Sequence, residues 1–202
     1  MSEEMFPPSQ TALLICDLQN DFLHPDGAYG RAGLSNSYIG DLPARLLPYA
    51  RALSAAGGSI ISTHFTLVPD RNGDPMMDPH LKRLRPFLTR GDFAPGSWGQ
   101  ALVDELQPAH FMVEKVAYSA FHMSRLEWLL RKAGIRRVVV SGIVTNGGVS
   151  STVRDAHVRE FAPTVLSDGC AAFSAELHET AIAALWPIAR VMTVAEAMAE
   201  LK

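Results

Sequence analysis

Thr11-Ala12-Leu13-Leu14-Ile15-Cys16-Asp17 decides the fold. Five apolar residues follow one another without polar alternation, in a run of strand length, which is the pattern of a strand covered on both faces. Five more runs read the same way: Ser59 to His64, Phe111 to Glu114, Arg137 to Gly142, Pro163 to Ser167 and Ala189 to Met192. Between them lie helical stretches. Ile39 to Ala56 stops at Gly57-Gly58, Ser124 to Ala133 stops at Gly134, and Asn146 to Glu160, Ala175 to Leu185 and Val194 to Leu201 complete the set. Strands alternating with helices indicate a parallel sheet covered by helices. The 202 residues suit one α/β domain, taken here as 1–202, which buries roughly 70% of its unfolded surface and needs neither disulfide nor structural metal.

Two cysteines, Cys16 and Cys170, form no disulfide framework, so a reducing cytoplasm is the expected setting. Eighteen Lys and Arg against 21 Asp and Glu give a net charge of −3, without a basic stripe to neutralise phosphates, so nucleic acid is not expected as a partner. The acidic, Pro-containing start, Met1 to Pro8, is unlike a signal peptide. The apolar stretch Val138 to Val144, broken by Ser141 and Gly142, is far below the roughly 18–20 residues a membrane span requires.

Two segments interrupt the alternation: Leu18 to Asn36, after the first strand, and Thr66 to Gly99, which holds Pro69, Pro75, Pro79, Pro86 and Pro95 around one short helix. Long connections at the carboxyl ends of parallel strands build binding crevices, so both are candidate pocket walls. Asp17 ends the first strand and would project into that crevice, although an aspartate there also serves to cap a turn. Lys115 ends the third strand; alone it reads more often as a surface lysine than as a catalyst, but opposite charges converging on one crevice favour a site. Gly142 to Val149 is a strand-to-helix turn rich in small residues. Its backbone N–H groups suit an oxyanion, or its glycines serve packing alone.

These three elements together resemble the isochorismatase-like, or cysteine hydrolase, family. The resemblance runs through Ala12 to Phe22, Pro95-Gly96-Ser97-Trp98-Gly99, Glu114 to Phe121, Ser141 to Asn146 and Ser151 to Ala156. It implies a three-layer α/β/α sandwich on a predominantly parallel six-stranded sheet, a non-proline cis peptide just before Thr145, and Asp17 and Lys115 as catalytic residues. The family's amidohydrolases place their nucleophilic cysteine where this chain has Gly148, which excludes a thioester through that position. The chain is therefore identified with a subgroup bearing glycine there. Isochorismatases proper tend to carry that glycine too, and hydrolyse a vinyl ether with the aspartate as acid.

Neither nearby serine occupies the place of the thiol, and Cys170 could approach the crevice from strand five. Counted along a helix, Ser150 and Ser151 rotate roughly 200° and 300° from Gly148, leaving only Ser151 near the pocket edge. Cys170, after strand five, reads better as a small core residue, and Cys16 alternates to the sheet face opposite Asp17. Backbone N–H groups of Thr145 and Gly148 remain as oxyanion donors. Phe22, Trp98, Tyr118 and Phe121, with Asn146 and Gly147, are the expected substrate-binding residues, for a small planar or partly unsaturated molecule, although the aromatics read equally as pins for the long loops. Whether Asp17 acts as acid or base stays open, since burial raises its pKa and Lys115 lowers it.

No metal and no cofactor are expected. The seven histidines include no pair at ligand spacing, Asp70 to Leu81 fails as a calcium loop at Pro75 and Leu81, and His64 alone does not reproduce the Asp-and-histidine set of related nicotinamidases. Gly27, Gly30 and Gly33 are not a dinucleotide fingerprint. Three readings follow: an isochorismatase-type hydrolase dependent on Asp17 and Lys115, a water-mediated amide hydrolase, or an inactive small-molecule-binding relative. The resemblance also implies a homodimer or homotetramer, and the carrier-protein domain that some isochorismatases bear is not expected here.

Overall fold

The computed structural model describes residues 6–34 and 36–201. In chain order the elements are β1 (Thr11–Cys16), α1 (Asn20–Leu23), α2 (Ala28–Arg31), α3 (Ser37–Gly40), α4 (Leu42–Ala55), β2 (Ser59–Phe65), α5 (Pro79–Leu84), β3 (Phe111–Lys115), α6 (Leu126–Lys132), β4 (Arg137–Ile143), α7 (Ser150–Val158), β5 (Ala162–Ala171), α8 (Ala175–Ala183), β6 (Arg190–Met192) and α9 (Val194–Ala199). The six strands form one all-parallel sheet in the order β3-β2-β1-β4-β5-β6.

Alternation along each strand divides the core into two layers. Leu13 and Ile15 of β1 join Ile60, Val139 and Leu166 beneath α4 and α9, where Leu42, Leu46, Leu53, Val194 and Ala197 close the layer. Ala12, Leu14 and Cys16 face the other way, with Ile61, Val113, Val138 and Val140, against Leu126 and Leu130 of α6 and Val153 and Ala156 of α7. The three-layer α/β/α sandwich implied by the resemblance is thus the observed fold. A third cluster of Tyr29, Leu67, Leu88 and Phe93, backed by Phe22 and Phe65, pins the two long connections to each other.

Three expected boundaries differ for identifiable reasons. The helix expected over Ile39 to Ala56 is two. Asn36 Oδ1 accepts from Ile39 N at 2.9 Å to start α3, and Pro43, without an N–H, opens α4 after the break at Asp41. The helix expected from Asn146 begins instead as a wide π-turn over Thr145–Val149 and becomes α-helical at Ser150. β5 runs on to Ala171, so Cys170 lies inside it rather than after it: the register shifts between Val140 and Gly142, and the strand resumes with Cys170 opposite Gly142.

Candidate active site

The sheet order reverses between β1 and β4, and in an open α/β sheet the crevice outside the carboxyl ends at that point is where ligands bind. Asp17 leaves β1 with φ +56°, an uncommon conformation that aspartate tolerates, while its N–H donates to the Thr63 carbonyl at 3.0 Å. On the other side of the reversal Gly142 has φ +103°, and a Cβ there would lie 2.1 Å from the Cys16 carbonyl oxygen, so only glycine lets β4 pass β1 this closely. Lys115, at the end of β3, reaches past Phe65 of β2, its Nζ 5.5 Å from that ring's centroid.

Asp17 and Lys115 meet as an ion pair, Oδ2 to Nζ 2.7 Å, with both side chains buried. Lys115 Nζ also donates to the Ala117 carbonyl at 3.0 Å. Asp17 Oδ1 is buried and has no hydrogen-bond partner of good geometry among the described residues. Burial pushes the Asp17 carboxyl up from its ordinary value, and the attraction of Lys115 opposes this only in part. Gly148 stands next to the pair. A Cβ built on it would lie 3.3 Å from Asp17 Oδ2, 3.1 Å from the Ile143 carbonyl oxygen and 3.5 Å from that of Tyr118. The cis peptide is Ile143–Val144, one bond before the position expected from the resemblance.

Above the pair opens a cavity of about 280 Å³ walled by Phe22, Tyr29, Phe65, Arg85, Tyr118, Val144 and Phe173. Four of its walls, Tyr29, Arg85, Tyr118 and Phe173, also line a wider outer hollow of about 470 Å³. Tyr29 and Phe173 stack with centroids 5.6 Å apart and planes 4° from parallel.

Of the substrate-binding residues expected from the sequence, Phe22 and Tyr118 are walls of this cavity. Trp98 is not: its ring packs edge-on against His24 at 4.9 Å on a different surface, and its carbonyl accepts from Asn20 Nδ2 at 2.8 Å. Phe121 points into the core layer under α6 and α7, 5.9 Å from Phe161. Asn146 is exposed, outside the cavity walls, because the π-turn carries it outward. Gly147 is buried behind the wall, where a Cβ would meet Val144 at 3.0 Å and the Tyr118 ring at 3.6 Å. The wide turn also undoes the α-helical rotation counted for Ser150 and Ser151. Ser150 Oγ donates to the Thr145 carbonyl at 2.5 Å, and Ser151 is not a wall.

Thr145 is buried, and its Oγ1 is 2.8 Å from Nδ1 of His178, whose pKa burial lowers. Cys16 and Cys170 are core thiols; burial pushes Cys16 up to about 12 and raises Cys170 well above its ordinary value. His64 is buried in β2, 2.9 Å from Ser62 Oγ, with its pKa lowered by burial to about 4. Among the described residues no three His, Cys, Asp or Glu side chains gather as a metal would require. No helix among the described residues is long and apolar enough to cross a membrane.

Tyr29, Phe65, Arg85 and Phe173 were not singled out from the sequence. Tyr29 and Arg85 lie in the two long connections read as pocket walls, but irregular chain gives no periodicity from which facing can be counted. Gln19, Asn20 and Asp21, between Asp17 and Phe22, turn out to be ties. Gln19 Nε2 donates to the Phe65 and Gln100 carbonyls, both at 2.9 Å, and Asp21 accepts from Ala28 N at 3.0 Å and Phe93 N at 2.6 Å.

The sequence model of the isochorismatase domain matches residues 11–196, and the chain belongs to that family of hydrolases. It is 34% identical to the ureidoacrylate amidohydrolase RutB of Methylorubrum extorquens over 174 residues, covering 81% of this chain and 70% of the relative. Among solved structures it resembles an isochorismatase-like hydrolase from Alkaliphilus metalliredigens, at 27% identity and a TM-score of 0.79, covering 96% of this chain and 100% of that one. A cysteine hydrolase from Pseudomonas syringae pv. phaseolicola shares the fold at 24% identity and a TM-score of 0.82, covering 100% of this chain and 98% of that one.

Proposed function

We propose that the protein hydrolyses a small molecule without a side-chain nucleophile, using Asp17 as proton donor and acceptor and Lys115 as its counter-charge, with a vinyl ether as the bond broken. The observation that carries this reading is Gly148: the position 3.3 Å from Asp17 Oδ2 holds no side chain, so the carboxyl group faces the cavity directly. Burial favours the protonated carboxyl, the form a general acid needs.

In this mechanism the Asp17 proton goes to the terminal vinylic carbon, leaving an oxocarbenium ion. Water adds to that ion and returns a proton to the Asp17 carboxylate. The resulting hemiketal collapses to a ketone and an alcohol. Lys115, 2.7 Å away, stabilises the carboxylate while the cation exists, and the amides of Thr145 and Gly148 are the donors for oxygen charge during collapse. The test is release of pyruvate from isochorismate by wild type and by Asp17→Asn. Turnover lost in the variant, with an unchanged fold, supports the reading. Absence of turnover in both overturns isochorismate as the substrate.

The relatives named ureidoacrylate amidohydrolase favour a second reading, water-mediated hydrolysis of an amide-type bond with Asp17 as base. Ammonia release from ureidoacrylate, dependent on Asp17, distinguishes it. If Asp17→Asn leaves ligand binding unchanged and neither form turns over either compound, the third reading, an inactive binding relative, stands. The same proposal takes the protein as a cytoplasmic homodimer or homotetramer, with a small molecule as partner and no metal in the reaction; light scattering of the purified chain reads the assembly.

A further inference from the structure

Arg85 lines both the inner cavity and the outer hollow. Its Nε donates to the Tyr29 hydroxyl and its Nη2 to the Tyr118 hydroxyl, each at 3.2 Å, and its guanidinium lies 5.9 Å from the Tyr118 ring centroid. Arg31, Arg90, Arg137 and Arg159 each pair with a carboxylate, whereas no carboxylate pairs with Arg85 among the described residues. Its partners are phenol hydroxyls, not carboxylates; Tyr29 is buried, and burial raises its pKa further. Both phenols accept from Arg85, and neither hydroxyl proton has an acceptor among the described residues.

We infer that Tyr29, Arg85 and Tyr118 form a receptor for a carboxylate on the substrate. The electrostatics require an anion. Whether Asp17 is ionised against Lys115 or protonated, Arg85 leaves the cavity net positive, half-buried against aromatic rings. A neutral ligand filling the cavity would strip water from that guanidinium without replacing it, whereas a planar carboxylate takes its remaining N–H donors and both phenolic protons. This inference rests on the reading of the cavity as a substrate site, and it names the substrates as small carboxylic acids bound at the mouth, the labile bond lying inward over Asp17 and Gly148.

The experiment uses binding alone, so it stands or falls separately from the reaction. Dissociation constants of benzoate, benzamide and phenyl phosphate are measured by ligand-observed NMR titration on wild type, Arg85→Met and Arg85→Lys. The expected result is benzoate bound about 10- to 100-fold more tightly than benzamide by wild type. That preference should vanish in Arg85→Met and fall only partly in Arg85→Lys, which keeps charge without the fork. Equal binding of benzoate and benzamide, or a benzoate preference that survives Arg85→Met, overturns the receptor. Phenyl phosphate bound more tightly than benzoate overturns the carboxylate assignment. A retained benzoate preference in an enzyme inactive on isochorismate and ureidoacrylate refutes those substrates and leaves the receptor standing.

Discussion

Gly148→Cys tests whether position 148 faces the Asp17–Lys115 pair. Gly148 lies outside the left-handed backbone region, so a side chain carries no conformational penalty there; the new Cβ would have to win a few tenths of an ångström from the Ile143 carbonyl at 3.1 Å and Asp17 Oδ2 at 3.3 Å. That crowding should lower stability by about 1 kcal/mol. The introduced sulfur projects into the cavity beside Lys115, whereas Cys16, with its pKa near 12, provides an internal control. An ordinary thiol near 8.5 has a thiolate fraction at neutral pH about 3,000-fold larger than a thiol near 12. The greater intrinsic nucleophilicity of the more basic thiolate returns about 25-fold of this, leaving an advantage of about 100-fold before access is counted. Alkylation by iodoacetamide, followed by peptide mass spectrometry, should therefore modify the introduced thiol at least about 100-fold faster than Cys16 or Cys170. Adding Lys115→Met should move its pH–rate profile to higher pH, because the nearby cation favours the thiolate. An introduced thiol no more reactive than Cys16 would refute the placement of Gly148 in the site.

The remaining predictions concern the pair, the backbone crossing and acid sensitivity. Lys115→Met strands a buried carboxyl group and should cost about 3–5 kcal/mol, while Asp17→Asn combined with Lys115→Met should return to within about 1 kcal/mol of wild type, both read from urea denaturation; a double variant no better than the single would contradict a coupled pair. Gly142→Ala, whose Cβ would fall 2.1 Å from the Cys16 carbonyl at φ +103°, should destabilise by about 3 kcal/mol or more and reduce soluble yield. His64 is protonated near pH 4 when folded but near 6.5 when unfolded, so the unfolded chain binds more protons between those values. Stability should be full above pH 6.5 and fall by about 3 kcal/mol as pH drops towards 4, a slope that His64→Gln should remove in denaturation curves at pH 7 and 4.5. If Asp17 is the acid, isochorismate turnover should decline about tenfold per pH unit above the raised Asp17 pKa, and a flat profile there would exclude that role.

The sheet and the ionic pair were legible in the sequence because both follow from strands. Ala12 to Cys16 needs cover on two faces, so its end must lie at the rim of a helix-covered sheet, and the same argument places Lys115. Gly148 was legible by its place after the Thr145-Asn146 pair. The cavity walls were not. Trp98 and Phe121 look like wall residues in a linear reading, yet the ties of Asn20 to the Trp98 carbonyl and of Ala120 N to Thr152 Oγ1, at 3.0 Å, hold those segments with the rings turned elsewhere. Arg85 and Phe173 reach the cavity through loops whose course depends on contacts far away in sequence, such as the Tyr29–Phe173 stack. The π-turn at Thr145–Val149 escaped because its pattern of small residues differs from that of an α-helix start only in the packing it permits.

These two kinds of residue are held by different means, and this has a functional consequence. Asp17 and Lys115 are placed by strand ends, and the loops around them are fastened largely through backbone groups: Gln19 to the Phe65 and Gln100 carbonyls, Asp21 to the amides of Ala28 and Phe93. Backbone ties do not depend on which side chains the loops present. Arg85 and Tyr118 are therefore free to vary without moving the ionic pair, whereas changing Asp21 should disturb it. Asp21→Ala removes two buried acceptor bonds at once and should lower stability by about 2–4 kcal/mol, with loss of kcat as the loop loosens. Arg85→Met should raise KM for an anionic substrate while leaving kcat and thermal stability close to wild type. An Arg85→Met variant with reduced kcat and unchanged KM would mean that the guanidinium acts in the reaction rather than in binding.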